Sequence, residues 1–196
     1  MNNIFGKFKN HIRLFRDYGK LCKKCNGKDS YLGKCINLKN PQYISLGKSV
    51  RIKDGFRIEC YNDYLGKTFS PRFEIGDNVT IGYRFSALVA DKMIIGNNTL
   101  IASDVLLTTE NHTMNPETGL PCVKQPLSSA PIEIDEGCWI GEKAVILPGV
   151  KIGKNCIIAA SAVVSTNIPA YCIAAGVPAR VIKKYDFSRH EWISNR

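Results

Sequence analysis

From Ile134 onward the chain reads IDEGCW, IGEKAV, ILPGVK, IGKNCI, IAASAV, VSTNIP. Aliphatic residues recur at Ile134, Ile140, Ile146, Ile152, Ile158 and Val164 without a slip. An α-helix cannot use this pattern, because six residues span about one and two-thirds turns and scatter the apolar positions over different faces. A hairpin sheet would alternate and break irregularly. A strict period of six, with Gly or another small residue next and often a second aliphatic four positions after it, predicts a parallel β-helix. Each hexapeptide is one short strand and one corner, and three hexapeptides close a coil. The leading aliphatic side chain points inward and stacks on its equivalents about 4.8 Å away in neighbouring coils.

The same rhythm runs earlier with interruptions. Leu46, Ile52 and Ile58 keep step, a seventeen-residue gap leads to Ile75, and Ile81 and Ala87 follow. After a two-residue slip come Ile95, Ile101 and Leu107, and then twenty-seven residues pass before Ile134. About twenty-one of those are surplus to the repeat, and long loops in compact repeats are functional or disordered. One of the three histidines, His112, lies near the start of this insertion. The expected organisation is all-β: an N-terminal helical cap over 1–40, a β-helix over 41–178 with a looped-out insertion near 108–131, and an extension over 179–196.

The N-terminal segment has helical spacing at Ile4, Phe5, Phe8, Ile12 and Phe15, with Lys7, Lys9, Arg13, Arg16 and Lys20 among them. Residues 1–40 carry ten Lys/Arg against Asp17 and Asp29, whereas the rest of the chain is nearly neutral within a total of +10. A basic amphipathic helix suits two roles: a cap over the open end of a solenoid or a contact with a membrane surface. No apolar run is long enough to span a bilayer. No apolar core with a small-residue cleavage site is seen near the start, which predicts a cytoplasmic protein, with peripheral association at the inner membrane as an option. Nucleic-acid binding has only net charge behind it and is not expected. The eight cysteines read as packed thiols. "CKKC" at Cys22–Cys25, with Cys35 nearby, invites zinc, but no second CxxC or paired His supplies the remaining ligands, so no metal is expected.

Residues 131–185 closely resemble the hexapeptide-repeat acetyltransferases, through "WIG" at 139–141, "ILPGV" at 146–150, "AAGVPARVIKKY" at 174–185 and the looped-out "NH" at 111–112. Within that superfamily the chain is most similar to the maltose/galactoside sugar O-acetyltransferases. "YDFSRHEW" at 185–192 points to the O-antigen and capsular polysaccharide branch. The resemblance implies a left-handed β-helix, a homotrimer with active sites between subunits, acetyl-CoA as co-substrate, and a sugar or polysaccharide acceptor. It also implies His112 as general base. Histidine suits that role because its unperturbed pKa lies near working pH.

The resemblance further assigns coenzyme A contacts to Trp139, Ala160, Ser165, Thr166, Arg180 and Lys183, with Arg180 and Lys183 on phosphates. Asp91 matches an acceptor-binding carboxylate. Where the family carries an asparagine that assists the oxyanion, this chain has Leu88, which leaves backbone N–H groups, Ser86 or Asn111 for that task. Glu110 either orients the imidazole or faces solvent. The expected reaction is O-acetylation of a sugar hydroxyl in a surface polysaccharide or its lipid-linked precursor. Alternatives on the same fold are N-acetylation of a nucleotide amino sugar, O-acetylation of an antibiotic, or a non-catalytic scaffold. The β-helical carbonic anhydrases need three metal-binding histidines, and only His112 lies in the repeat.

Overall fold

The structure, a computed structural model, describes residues 2–25 and 28–194, with side chains from Arg13 onward. The repeat folds as expected into a parallel β-helix, with the chain passing in turn through three sheets. The first sheet stacks Tyr31–Leu32, Arg51–Ile52, Thr80–Ile81, Leu100–Ile101, Trp139–Ile140, Ile157–Ile158 and Cys172–Gly176. The second stacks Cys35–Lys39, Phe56–Cys60, Ser86–Val89, Leu106–Thr108, Val145–Ile146 and Val163–Val164. The third stacks Ile44–Leu46, Arg72–Ile75, Lys92–Ile95, Ile132–Ile134 and Lys151–Ile152.

The period sets the core. Ile52, Ile81, Ile101, Ile140 and Ile158 are in register and fully buried, and so are Leu38, Ile58, Ala87, Leu107, Ile146 and Val164. Burying each large aliphatic side chain contributes about 1.5–3 kcal/mol. That gain requires a neighbouring coil, because an isolated coil has no second layer to cover its aliphatics. The corners are set by residues that tolerate the left-handed region. Asn78, Asn98 and Asn155 have φ of 57°, 57° and 53°, a conformation that asparagine adopts more readily than most residues. Side chains beside them link coil to coil: the Lys48 N–H donates to Asp77 Oδ1 at 2.7 Å and the Asp77 N–H to Asn97 Oδ1 at 2.8 Å. Gly96 is required by close approach, since a Cβ there would lie 2.5 Å from the Glu136 nitrogen.

The helix Asn2–Lys23 closes the first coil. Leu21 is fully buried, and Leu14, Tyr18 and Cys25 pack against the core at helical spacing. The Tyr18 hydroxyl donates to the carbonyls of Leu32 and Gly33 at 2.9 Å. The Lys24 ammonium donates to the carbonyls of Pro41, Gln42 and Ile44, and Lys28 to that of Leu46. Backbone acceptors at the open end are thus met by side chains of the helix and of the segment that follows it. Arg13, Phe15, Arg16, Lys20 and Lys23 face outward. The side chains of Ile4, Phe5, Phe8, Ile12, Lys7 and Lys9 lie outside the described residues.

One boundary differs from the expected ones. The strands Tyr31–Leu32 and Cys35–Lys39 already belong to the first coil, so the β-helix starts inside the segment expected to be helical. Leu32 and Leu38 keep the step of six in this coil and stack on Ile52 and Ile58, and helix side chains supply the rest of its core. At the other end Ala179–Asp186 pairs antiparallel with Cys172–Gly176, and Glu191–Ser194 pairs antiparallel with Ala179–Asp186. The C-terminal extension therefore widens the first sheet. Edge-to-face contacts among Tyr171, Tyr185, Phe187 and Trp192 hold it, with ring centroids 4.8–5.3 Å apart.

Candidate active site

One edge of the prism, where the second sheet hands over to the third, is built differently in successive coils. The coil of Ser86–Val89 turns it in two residues, Ala90 and Asp91. The coil before it sends out a hairpin, Asp63–Tyr64 paired with Lys67–Thr68. The coil after it sends out a longer arm, Glu110–His112 paired with Leu127–Ser129. These are the two breaks in the repeat, and both leave from the same edge.

The long arm is an ordered structure. At its foot the Thr109 hydroxyl accepts from the backbone N–H groups of Ala90 and Asp91 at 2.8 and 3.1 Å. Further out, Gln125 is buried; its amide donates to the carbonyls of Asn115 and Leu120 and accepts from the Asn115 N–H at 2.7 Å. The shorter hairpin leans on it. The Tyr64 hydroxyl donates to the Val123 carbonyl at 3.0 Å and Lys67 Nζ to the Leu127 carbonyl at 2.9 Å. Phe69, Ala90 and Leu127 form a buried apolar pad between them, with Tyr61 and Tyr64 against it.

His112 stands exposed on this arm, with the Tyr64 ring edge-on at a centroid distance of 5.5 Å. Glu110, two residues earlier on the same strand, is half-buried, and its Oε2 has no hydrogen-bond partner among the described residues. Burial pushes its carboxyl above the usual range; the charge of His112 opposes that shift and the charge of Glu59 adds to it. Glu59 is itself held by the Tyr61 hydroxyl at 2.6 Å and by Asn37 Nδ2 at 3.0 Å. Burial and that bond to Glu59 push the Tyr61 phenol up.

Of the residues expected near the base, Asp91 and Asn111 share this edge with His112. Asp91 accepts from the Ser129 hydroxyl at 3.2 Å and from the Lys92 N–H at 2.7 Å, so it ties the tight corner to the returning strand of the arm. Asn111 is exposed and pairs with Ser128 across the arm. Leu88 lies on the outer face of the second sheet between Glu59 and Thr108. Ser86 lies one step along, between Arg57 and Leu106.

Of the residues expected to hold coenzyme A, Ser165 and Thr166 share this edge and the others lie elsewhere. Trp139 is 50% exposed on the first sheet and shares an outward row with Leu100, Ile157, Ile173 and Lys183. Arg180 is exposed on the added strand of that sheet. Ala160 is exposed at the edge between the first and second sheets, stacked over Gly141. Ser165 and Thr166 are exposed where the last coil passes from the second sheet to the third, on the His112 edge but two coils further along. In a three-sided prism the edge between the second and third sheets is opposite the first sheet. One chain therefore keeps Trp139, Arg180 and Lys183 away from His112. Sequence reasoning missed Tyr64, Tyr61 and Glu59, although the gap between Ile58 and Ile75 marked where to look.

No group of three or more His, Cys, Asp or Glu among the described residues is placed to hold a metal ion. Cys25 and Cys35 are free thiols whose pKa burial pushes up.

A family model described as "Bacterial transferase hexapeptide (six repeats)" matches residues 131–166. A putative lipopolysaccharide biosynthesis O-acetyl transferase, WbbJ, from Escherichia coli K12 is 30% identical over 161 residues, which cover 79% of each chain. This chain belongs to the hexapeptide-repeat acetyltransferases. The galactoside O-acetyltransferase of Escherichia coli K12 is 38% identical over 130 residues, 63% of each chain. A hexapeptide-repeat-containing acetyltransferase from Vibrio cholerae O1 biovar eltor, solved with acetyl coenzyme A, shares the fold. Its TM-score is 0.57 at 24% identity, covering 89% of this chain and 88% of that one. The coil is the left-handed β-helix of this family of acetyltransferases.

Proposed function

We propose that the protein is an acetyl-CoA-dependent O-acetyltransferase that modifies a sugar hydroxyl of a bacterial surface polysaccharide, O-antigen or capsule, or its lipid-linked precursor. The observation that carries this reading is the placement of His112 on a braced arm at one prism edge, exposed to an incoming acceptor. Its relatedness to a putative lipopolysaccharide O-acetyl transferase and to a galactoside O-acetyltransferase supports a sugar acceptor.

In the proposed mechanism a ring nitrogen of His112 takes the proton of the sugar hydroxyl as its oxygen attacks the thioester carbonyl carbon. The tetrahedral oxyanion then collapses, the carbon–sulfur bond breaks, and the imidazolium returns the proton to the leaving thiolate. The products are the acetyl ester and free coenzyme A. Glu110, two residues earlier on the same strand, carries a carboxyl that the charge of His112 attracts. Asp91 and Asn111 contact the acceptor. The oxyanion donor is drawn from backbone N–H groups, Ser86 or Asn111, since Leu88 has no polar group to offer.

Trp139, Ala160, Ser165, Thr166, Arg180 and Lys183 hold the coenzyme. Because Trp139, Arg180 and Lys183 lie opposite the His112 edge, the working unit is a homotrimer in which one chain's first sheet meets the next chain's arm. The outward Arg13, Arg16, Lys20 and Lys23 beside Phe15, which is 83% exposed, suit the cytoplasmic face of an anionic inner membrane, where lipid-linked acceptors lie. The test is coenzyme A release from acetyl-CoA with purified bacterial glycans as acceptors. The wild type is expected to release it in an acceptor-dependent way and His112→Ala to lose that release; equal rates for the two would overturn the reading.

A further inference from the structure

The shorter interruption of the repeat, between Ile58 and Ile75, plays no part in the proposed chemistry as stated. Its hairpin leaves from the edge that bears His112. The turn is tight, with Leu65 and Gly66 at φ of 50° and 76°, the two positive values typical of a two-residue turn whose twist matches its strands. Its base is fixed as well. The Phe69 N–H donates to the Asn62 carbonyl at 3.0 Å, and Asn40 Nδ2 bonds the Cys60 carbonyl and the Asn62 side chain at 2.9 Å. Two polar bonds and an apolar pad then join it to the long arm.

These contacts fall at particular places. Lys67 bonds the carbonyl of Leu127, the residue paired directly opposite His112. The Tyr64 ring meets the imidazole at an interplanar angle of 77°, while its hydroxyl is anchored to Val123 beyond the pair. The arm itself gives His112 backbone pairing, and among the described residues the one ring against the imidazole comes from the other hairpin. We infer that the hairpin of residues 61–69 is a brace for the base, with Tyr64 as the positioning residue that sets the imidazole plane. This rests on His112 being the general base. A misplacement of about 1 Å at a reacting group can cost about a hundredfold in rate, so a brace on an exposed arm has a clear purpose.

The experiment uses the full-length protein. Imidazole proton resonances of His112 are followed by NMR in wild type, Tyr64→Phe, Tyr64→Ala and Lys67→Met, and steady-state rates are measured with acetyl-CoA and methyl galactoside. Tyr64→Ala is expected to shift and broaden the His112 resonances. It should also lower kcat by about ten- to a hundredfold with KM for acetyl-CoA unchanged. Tyr64→Phe, which keeps the ring, should restore the resonance positions and most of the rate, and Lys67→Met should fall between. Unmoved His112 resonances in Tyr64→Ala would overturn the brace, as would full activity in Tyr64→Ala beside an inactive His112→Ala. If His112→Ala itself stays active, the general-base reading falls instead, and the resonances alone still decide whether Tyr64 positions the ring.

Discussion

The edge between the second and third sheets and the outward row of the first sheet belong to the same coils and differ in almost every respect. The edge turns once in two residues, at Ala90 and Asp91, and twice throws out hairpins that cross-brace over that tight corner. The row repeats without interruption through Leu100, Trp139, Ile157 and Ile173 to Lys183. The edge holds carboxylates, tyrosines and a histidine; the row holds apolar surface ending in a cation. A repeat must keep its inward residues to stay folded, and its corners only have to close. Excursions therefore accumulate at corners, and flat faces are left for extended ligands or for another copy of the chain.

If the edge is chemistry and the coil is support, the two should separate cleanly under mutation. His112→Ala should remove about a thousandfold or more of the rate and leave the thermal midpoint where it was. Ile140→Ala should cost about 2–5 kcal/mol, seen as a clear fall in midpoint on heating. A large loss of stability in His112→Ala would break the comparison.

The next effect tests whether edge and row meet across chains. His112→Ala and a Trp139→Ala/Lys183→Met double variant are each expected to be nearly inactive. Unfolded together and refolded as a mixture, they should recover about a quarter of wild-type activity, because a quarter of the shared sites draw both halves intact. No recovery would place both halves in one chain. A milder effect separates binding from chemistry: Trp139→Ala alone should raise KM for acetyl-CoA by about tenfold with little change in kcat, measured by initial rates.

The smallest expected effect concerns Glu110. Burial holds its carboxyl above the unfolded value, so the folded protein binds the extra proton and loses stability as pH rises through the folded pKa. Glu110→Gln should therefore stabilise the fold slightly at neutral pH, by less than about 1 kcal/mol for a group this exposed. The gain should vanish below the unfolded carboxylate pKa. Denaturant midpoints at pH 4 and pH 7.5 measure it; a larger gain at pH 4 would reverse the sign of the argument.

Much of the coil was legible in the residues, because an inward column is a local rule repeated. Ile134 through Val164 and the earlier triplets ending at Ile58, Ala87 and Leu107 all mark strands. The first coil was the least legible part: Leu32 and Leu38 keep the step of six, but two such positions next to a segment with helical spacing did not stand out. The insertion and His112 were visible as a break. Tyr64 was not, because its distance from His112 along the chain gives no hint that two excursions share an edge. Glu59 was hidden for a similar reason, since Asn37 reaches it from the neighbouring coil, and Tyr61 takes its place by bonding Glu59.

The six-residue spacing already requires a stack of short strands around an aliphatic core, since no other regular structure buries it. It also determined where the stack is interrupted. Stacking of the coils is what brings both interruptions to one edge, sets one hairpin against the other, and puts the row from Leu100 to Lys183 on the opposite face. The physical reason is the coil count. A period fixes which face a residue takes, but the residues spent in each excursion fix which corners line up, and that alignment exists only once the coils are stacked.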